Sequence, residues 1–110
     1  MMTFVGMPTV FYGDELGIQG ILEEEYRHPM PWNGGDADLR AFFKKAIAMR
    51  HELTALRRGD FRMVSAEAGS GLFVYTRKLE DEVITVCINH GKSSAELPEK
   101  GNSHHNCYNI

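Results

Sequence analysis

The chain has 110 residues, 43% apolar and 25% charged, with a formal net charge of -3. This allows one domain with a core of moderate size, lies in the range of soluble globular proteins, and excludes wholesale disorder. The acidic balance excludes a general attraction to nucleic acid, and no apolar run approaches the ~18 residues of a membrane-spanning helix.

Cys87 and Cys107 are the only cysteines. Two thiols make no disulfide framework, so reduced cysteines in a cytoplasmic protein are the simpler account, with a single bridge left open. Met1 to Tyr12 is apolar but lacks a basic start and a small-residue cleavage site, so it reads as interior rather than signal peptide.

In chain order, Met1 to Phe4 reads as the tail of a helix, and Val5-Gly6-Met7-Pro8 as a break. Thr9-Val10-Phe11-Tyr12 is a continuous β-prone run without polar alternation, which predicts a strand covered on both faces in a parallel sheet. Gly17 to Asp36 carries four glycines, three consecutive glutamates and two prolines. That composition predicts a loop beyond the usual ~12–15 residues, a length that is often functional. Asp36 is placed to cap a helix, with Asp38 in its first turn. Leu39, Phe42, Phe43, Ala46, Ile47, Met49 or Arg50, Leu53 and Leu56 recur at steps of three and four, which predicts one amphipathic helix. Arg57 and Arg58 suit its last turn, and Gly59 ends it.

Beyond Gly59 the period shortens. Phe61 to Ser65, Leu72 to Arg77 and Val83 to Ile88 are predicted strands, with turns at Ala68–Gly71 and Glu80–Asp81. Ser94 to Leu97 is a candidate fourth strand, and the tail from Glu99 is polar. This spacing predicts an antiparallel meander within a sandwich, and the fold class is α+β.

Four segments together resemble the α-amylase family of glycoside hydrolases. Gly6-Met7-Pro8-Thr9-Val10-Phe11-Tyr12-Gly13-Asp14-Glu15 resembles the signature of the eighth strand of its (β/α)8 barrel, with Phe11 for the first Tyr. Glu23-Glu24-Glu25-Tyr26-Arg27-His28-Pro29-Met30-Pro31-Trp32 resembles the acidic loop and Arg-Arg-Pro-Met-Pro-Trp motif of the neopullulanase, cyclomaltodextrinase and maltogenic amylase branch, with His28 for the second Arg. The helix resembles the last barrel helix. Leu53 to Phe61 is similar to the exit into the C-terminal β-sandwich domain. The likeness covers about residues 3 to 92.

The resemblance implies the end of a barrel (last strand, loop and helix) over residues 1–58 and a β-sandwich domain over 59–110. A barrel typically needs ~250 residues, so the rest is expected upstream of Met1. The implied chemistry is retaining hydrolysis of α-1,4-glucans such as maltodextrin, cyclodextrin or pullulan, by two carboxyl groups ~5–5.5 Å apart. No residue of this chain matches the family's catalytic positions, so no catalytic residue is assigned, and the chain alone is expected to be inactive. Glu23 (Glu where the family usually has Asp) and Arg27 map onto residues that contribute to outer glucose subsites; a carboxylate with a guanidinium supplies the acceptors and donors that sugar hydroxyls need. The implied partner is an α-glucan oligosaccharide, with no nucleic acid, no membrane and no cofactor. The alternatives are a glycosyl-transferring relative and a non-catalytic β-rich interaction module. For the isolated chain, the N-terminal run is expected to self-associate, fold back on the helix or stay disordered.

Other residues have plainer readings. Asp14 and Glu15 look like a catalytic pair, but adjacent carboxylates in a tight turn usually accept backbone or Arg hydrogen bonds. Trp32 is expected to pack over the end of the helix rather than stack on a sugar. Phe42, Phe43 and Met49 read as core, and Cys87 as a small core residue. His104, His105 and Cys107 lack the paired spacing of a zinc site, so no metal is assigned.

Overall fold

A computed structural model describes residues 1–66, 69, 71–91 and 94 of the chain. In order, these form a 3-10 turn at Asp14–Leu16, α1 (Glu23–Tyr26), α2 (Ala37–Glu52), α3 (Thr54–Arg58), β1 (Asp60–Ala66), β2 (Leu72–Leu79) and β3 (Glu82–Asn89). The three strands make one antiparallel sheet in the order β1-β2-β3. The α+β class and the meander thus stand as expected, each strand a residue or more longer than its pattern.

Register in the β2–β3 hairpin is fixed by its two-residue turn. Leu79 pairs with Glu82 across the Glu80–Asp81 turn, and Leu72 with Asn89 at the far end. Between Met63 and Ser65 the β1–β2 ladder slips, a bulge that leaves Val64 outside the pairing; such an insertion bends an edge strand. Central β2 carries the core. Val74 and Tyr75 point to opposite faces, and both are 1% exposed.

Helix α2 starts where expected: Asp36 Oδ1 accepts the Asp38 and Leu39 amides, both at 2.9 Å. The predicted single helix is instead two. Leu53 is extended (φ -89°, ψ 99°) and divides α2 from α3. The β3 carboxylate of Glu82 accepts the Ala55 N–H, so a distant side chain caps the new helix start, and periodicity alone carries no trace of that. Ala55 and Leu56 of α3 are fully buried, where α3 lies against β2 and β3. Burying the Leu56 side chain stabilises by about 1.5–3 kcal/mol. Gly59 follows with no room for a methyl group: a Cβ would come 2.6 Å from Ala55 O and 2.7 Å from Lys78 O.

Two expectations for the N-terminus are corrected. Met1 to Phe4 form turns and bends rather than a helix, and Thr9 to Tyr12 form no strand. A strand exists through its ladder, and the only sheet among the described residues is β1-β2-β3. Phe11 N donates instead to Asp14 Oδ2 at 3.2 Å, a local side-chain bond that competes with a ladder.

The first six residues fold back over the sheet. Phe4 meets the rings of Phe61 and Tyr75 edge-on, with centroids 5.1 and 5.6 Å away. Thr3 Oγ1 lies 2.7 Å from Tyr75 Oη. Two buried guanidiniums hold the backbone of this segment. Arg50 of α2 donates to the carbonyls of Met2, Phe4 and Gly6 at 2.7, 3.1 and 2.6 Å. Arg77 of β2 donates to Thr3, Leu56 and Gly59 carbonyls at 3.3, 2.9 and 2.8 Å.

The helix core also differs in part. Ala46, Met49 and Arg50 are buried as a stripe, whereas Phe42 and Ile47 are 44% and 38% exposed. Both flank the stripe, so the apolar face is wider than the surface that covers it. Of the turn at 68–71, Gly69 and Gly71 are described and the other two residues are not. The candidate fourth strand beyond Ser94 and the polar tail lie outside the described residues, and Ser94 itself is not in a strand.

Candidate functional site

The loop between the 3-10 turn and α2 holds both residues expected to contact sugar. Its organiser is Glu25. Leu22, extended, precedes α1 and has no side-chain oxygen to cap it. The Glu25 carboxylate supplies the missing acceptor, with Oε2 taking the amides of Ile21 at 2.7 Å and Leu22 at 3.1 Å. This is half of a capping box. These two amides hold the Glu25 carboxyl below the usual carboxylate range.

One turn of helix then brings Glu23 and Arg27 together. Glu23 Oε1 lies 2.7 Å from Arg27 Nη1, with the side chains 61% and 62% exposed. An exposed i, i+4 pair of this kind contributes about 0.3–0.5 kcal/mol, so its interest is chemical. The single contact engages one edge of a five-donor fork, and the two groups present a carboxylate and a guanidinium side by side toward solvent. The adjoining chain is tied down, since Tyr12 Oη donates to His28 O at 3.4 Å and Arg27 N to Glu23 O at 3.1 Å.

Asp14 and Glu15 behave as turn residues. Asp14 accepts the Phe11 amide, and Glu15 Oε2 accepts the Gly13 amide at 3.0 Å. Cys87 is half-buried, and burial pushes its thiol up from the ordinary value, the state of a packing residue rather than a nucleophile. Among the described residues no group of three or more His, Cys, Asp or Glu is placed to hold a metal, and no helix is long and apolar enough to cross a membrane. His104, His105 and Cys107 lie outside the described residues.

Trp32 corrects its packing assignment. It is 75% exposed, and it stands at the start of α2 beside a hollow of about 340 Å³ that Arg40 and Lys44 also line. A second hollow, of about 400 Å³, lies by Phe11, Tyr12 and Ile18. Neither Glu23 nor Arg27 lines these two. The Glu25 anchor and the two arginine clamps went unread in the sequence. An N3 glutamate was the visible signal for the first; for the clamps, the one hint was an arginine at a core position of the helix stripe.

No family model matches the chain. Neopullulanase 2 of Thermoactinomyces vulgaris is 33% identical over 106 residues, covering 91% of this chain and 18% of that protein. A cyclomaltodextrinase of a Bacillus species is 35% identical over 97 residues, covering 86% of this chain and 17% of that protein. A debranching enzyme of Nostoc punctiforme, its crystal soaked with acarbose, matches in structure with a TM-score of 0.73 and 31% identity over 86% of this chain and 19% of its own. The chain therefore spans less than a fifth of each of these relatives. By sequence it is a member of the α-amylase family, homologous to one stretch of the neopullulanases, cyclomaltodextrinases and maltogenic amylases.

Proposed function

We propose that this chain works as part of a cytoplasmic α-glucan hydrolase acting on maltodextrin, cyclodextrin or pullulan, and that it carries outer-subsite contacts rather than the catalytic acids. On this reading residues 1–58 are the end of a (β/α)8 barrel and 59–110 belong to a β-sandwich domain. The observation that carries it is the match to neopullulanase 2 across 91% of the chain. The exposed Glu23–Arg27 pair supports a sugar contact in chemical terms, since it offers acceptor and donor within one hydroxyl's reach. Asp14 and Glu15 are engaged by backbone amides, which argues against their use as nucleophile and acid, a pair that must face one bond from ~5–5.5 Å apart.

Two assays test the reading. The purified chain releases no reducing sugar from maltotriose or β-cyclodextrin; release would overturn its non-catalytic part. A neopullulanase whose matching stretch is replaced by this chain hydrolyses α-glucans, and Arg27→Ala in that chimera raises KM with little change in kcat. A folded chimera inactive on every α-glucan would overturn the α-glucan assignment.

A second reading, a non-catalytic interaction module, draws on the exposure of Met7 (92%) and Ile21 (94%). Light scattering decides it: concentration-dependent association favours the module, and a clean monomer counts against it.

A further inference from the structure

Trp32 is a large apolar side chain left in water on a turn that is not free to move it. Its own amide donates to Met30 O at 3.0 Å, and Gly34 N donates to Pro31 O at 2.9 Å. Asp36 N donates to Leu16 O at 2.9 Å, which ties the far end of the turn to a buried leucine. Gly35 makes that approach possible: its φ is +89°, and a Cβ there would come 2.6 Å from the Leu16 Cβ. The turn is therefore braced from both sides, while the indole stays 75% exposed.

The hollow beside it, about 340 Å³, has Leu16 among its lining, and Asn33, Arg40 and Lys44 supply polar groups. Arg40 and Lys44 are four apart on α2 and so share a face. This combination of an open aromatic plane, an amide and two cationic donors matches one ligand chemistry well. A pyranose ring has an apolar C–H face that lies against an indole, and a rim of hydroxyls that accept from Arg and Lys and exchange hydrogen bonds with an amide. Arg40 and Lys44 would attract a phosphate as well, but a bare phosphate leaves the indole plane unused, and Asp36 and Asp38, at the start of the same helix though outside the lining, offset part of that attraction. A sugar uses the indole, the amide and the cations together.

We propose that Trp32, with Asn33, Arg40 and Lys44, forms a second glucan-binding site, a surface platform for one or two glucose units of an α-1,4-linked oligosaccharide, distinct from the Glu23–Arg27 pair earlier in the same loop. The choice of an α-linked chain rests on the α-glucan reading above; the platform itself rests on the geometry.

Trp32 is the single tryptophan of the chain, so its emission reports this site alone. With the full chain, maltoheptaose titrated into the millimolar range shifts that emission to the blue along a saturating curve and protects it from acrylamide quenching. Arg40→Ala with Lys44→Ala weakens the apparent affinity at least about fivefold, the scale expected for losing one or two charged hydrogen bonds, with an unchanged far-UV circular dichroism spectrum. Glu23→Ala with Arg27→Ala leaves the titration as it was. The proposal is overturned if maltoheptaose leaves Trp32 unperturbed, if cellohexaose or AMP gives the same response, or if the response depends on Arg27 and not on Arg40 and Lys44. The two readings fail separately. A silent Trp32 beside an active chimera removes this platform only, and a responsive Trp32 beside an inactive chimera removes the enzyme assignment only.

Discussion

Glu25 shows how much one exposed side chain can organise. Its carboxylate takes the amides of Ile21 and Leu22, and that charge-assisted bonding holds its folded-state pKa below the ordinary value of 4.5. A depressed carboxyl contributes stability above its unfolded-state pKa and loses it as pH falls through the folded-state value. Hydrogen exchange at Ile21 and Leu22 should therefore quicken relative to the sheet as pH drops below about 4.5. Glu25→Gln, which removes the charge but keeps an oxygen, should show part of that quickening already at neutral pH. Arg77 is the buried counterpart. It is 1% exposed, its Nε has no partner in the structure, and desolvation followed by the charge of Arg50 pulls its pKa down. What keeps a cation there is its fork, which reaches carbonyls of the N-terminal segment, α3 and Gly59 at once. Arg77→Lys replaces two nitrogens with one and should lower stability by about 2–4 kcal/mol, read as a fall in the urea midpoint.

At the scale of elements, pattern and structure agree where local chemistry decides and part where distant residues do. The Asp36 cap, the α2 stripe and the three strands were legible because caps and periods are written in neighbouring residues. The break at Leu53 was not, since the group that caps α3 is Glu82, on the last strand. Thr9 to Tyr12 has the composition of a buried strand, yet composition supplies no ladder partner. Glu23 and Arg27 were singled out by the family resemblance alone; their pairing across one helical turn was not legible, because Gly17 to Asp36 has the composition of a loop. The exposure of Trp32 was not legible, because the aromatic residue type says nothing of whether a surface will cover it. The β2–β3 turn holds a further test. Glu80 is the single non-glycine residue with positive φ (53°) among those described, and a non-glycine residue in that region is strained by about 1–3 kcal/mol. Glu80→Gly relieves the strain but adds chain entropy to the unfolded state, so a modest net gain of about 0.5–1 kcal/mol is expected, seen as a higher melting temperature.

Across the whole molecule, apolar surface is shared unevenly. Val74, Tyr75, Ala55 and Leu56 are sealed, while Met7, Ile21, Leu22 and Val64 are at least half exposed. Isolated exposed hydrophobes are ordinary, but several of these fall within the N-terminal third, where the family likeness is most explicit. A further layer of protein over Met7, Ile21 and Leu22 is what a relative more than five times longer has the material to provide, since this chain spans 18% of neopullulanase 2. The sheet, by contrast, owes its order to contacts within the described residues.

The Arg77 clamp bears on any attempt to divide the polypeptide. Arg77 belongs to the second half, yet it grips Thr3 and Leu56 in the first, and Tyr75 shares a hydrogen bond with Thr3. Severing the chain after Arg58 would leave Arg77 with only Gly59 of its three carbonyls on one piece, and the bare Thr3 and Leu56 carbonyls on the other. Peptides 1–58 and 59–110 prepared apart should each melt without a cooperative transition, and mixing them should restore one, as when a torn seam is stitched along its original thread.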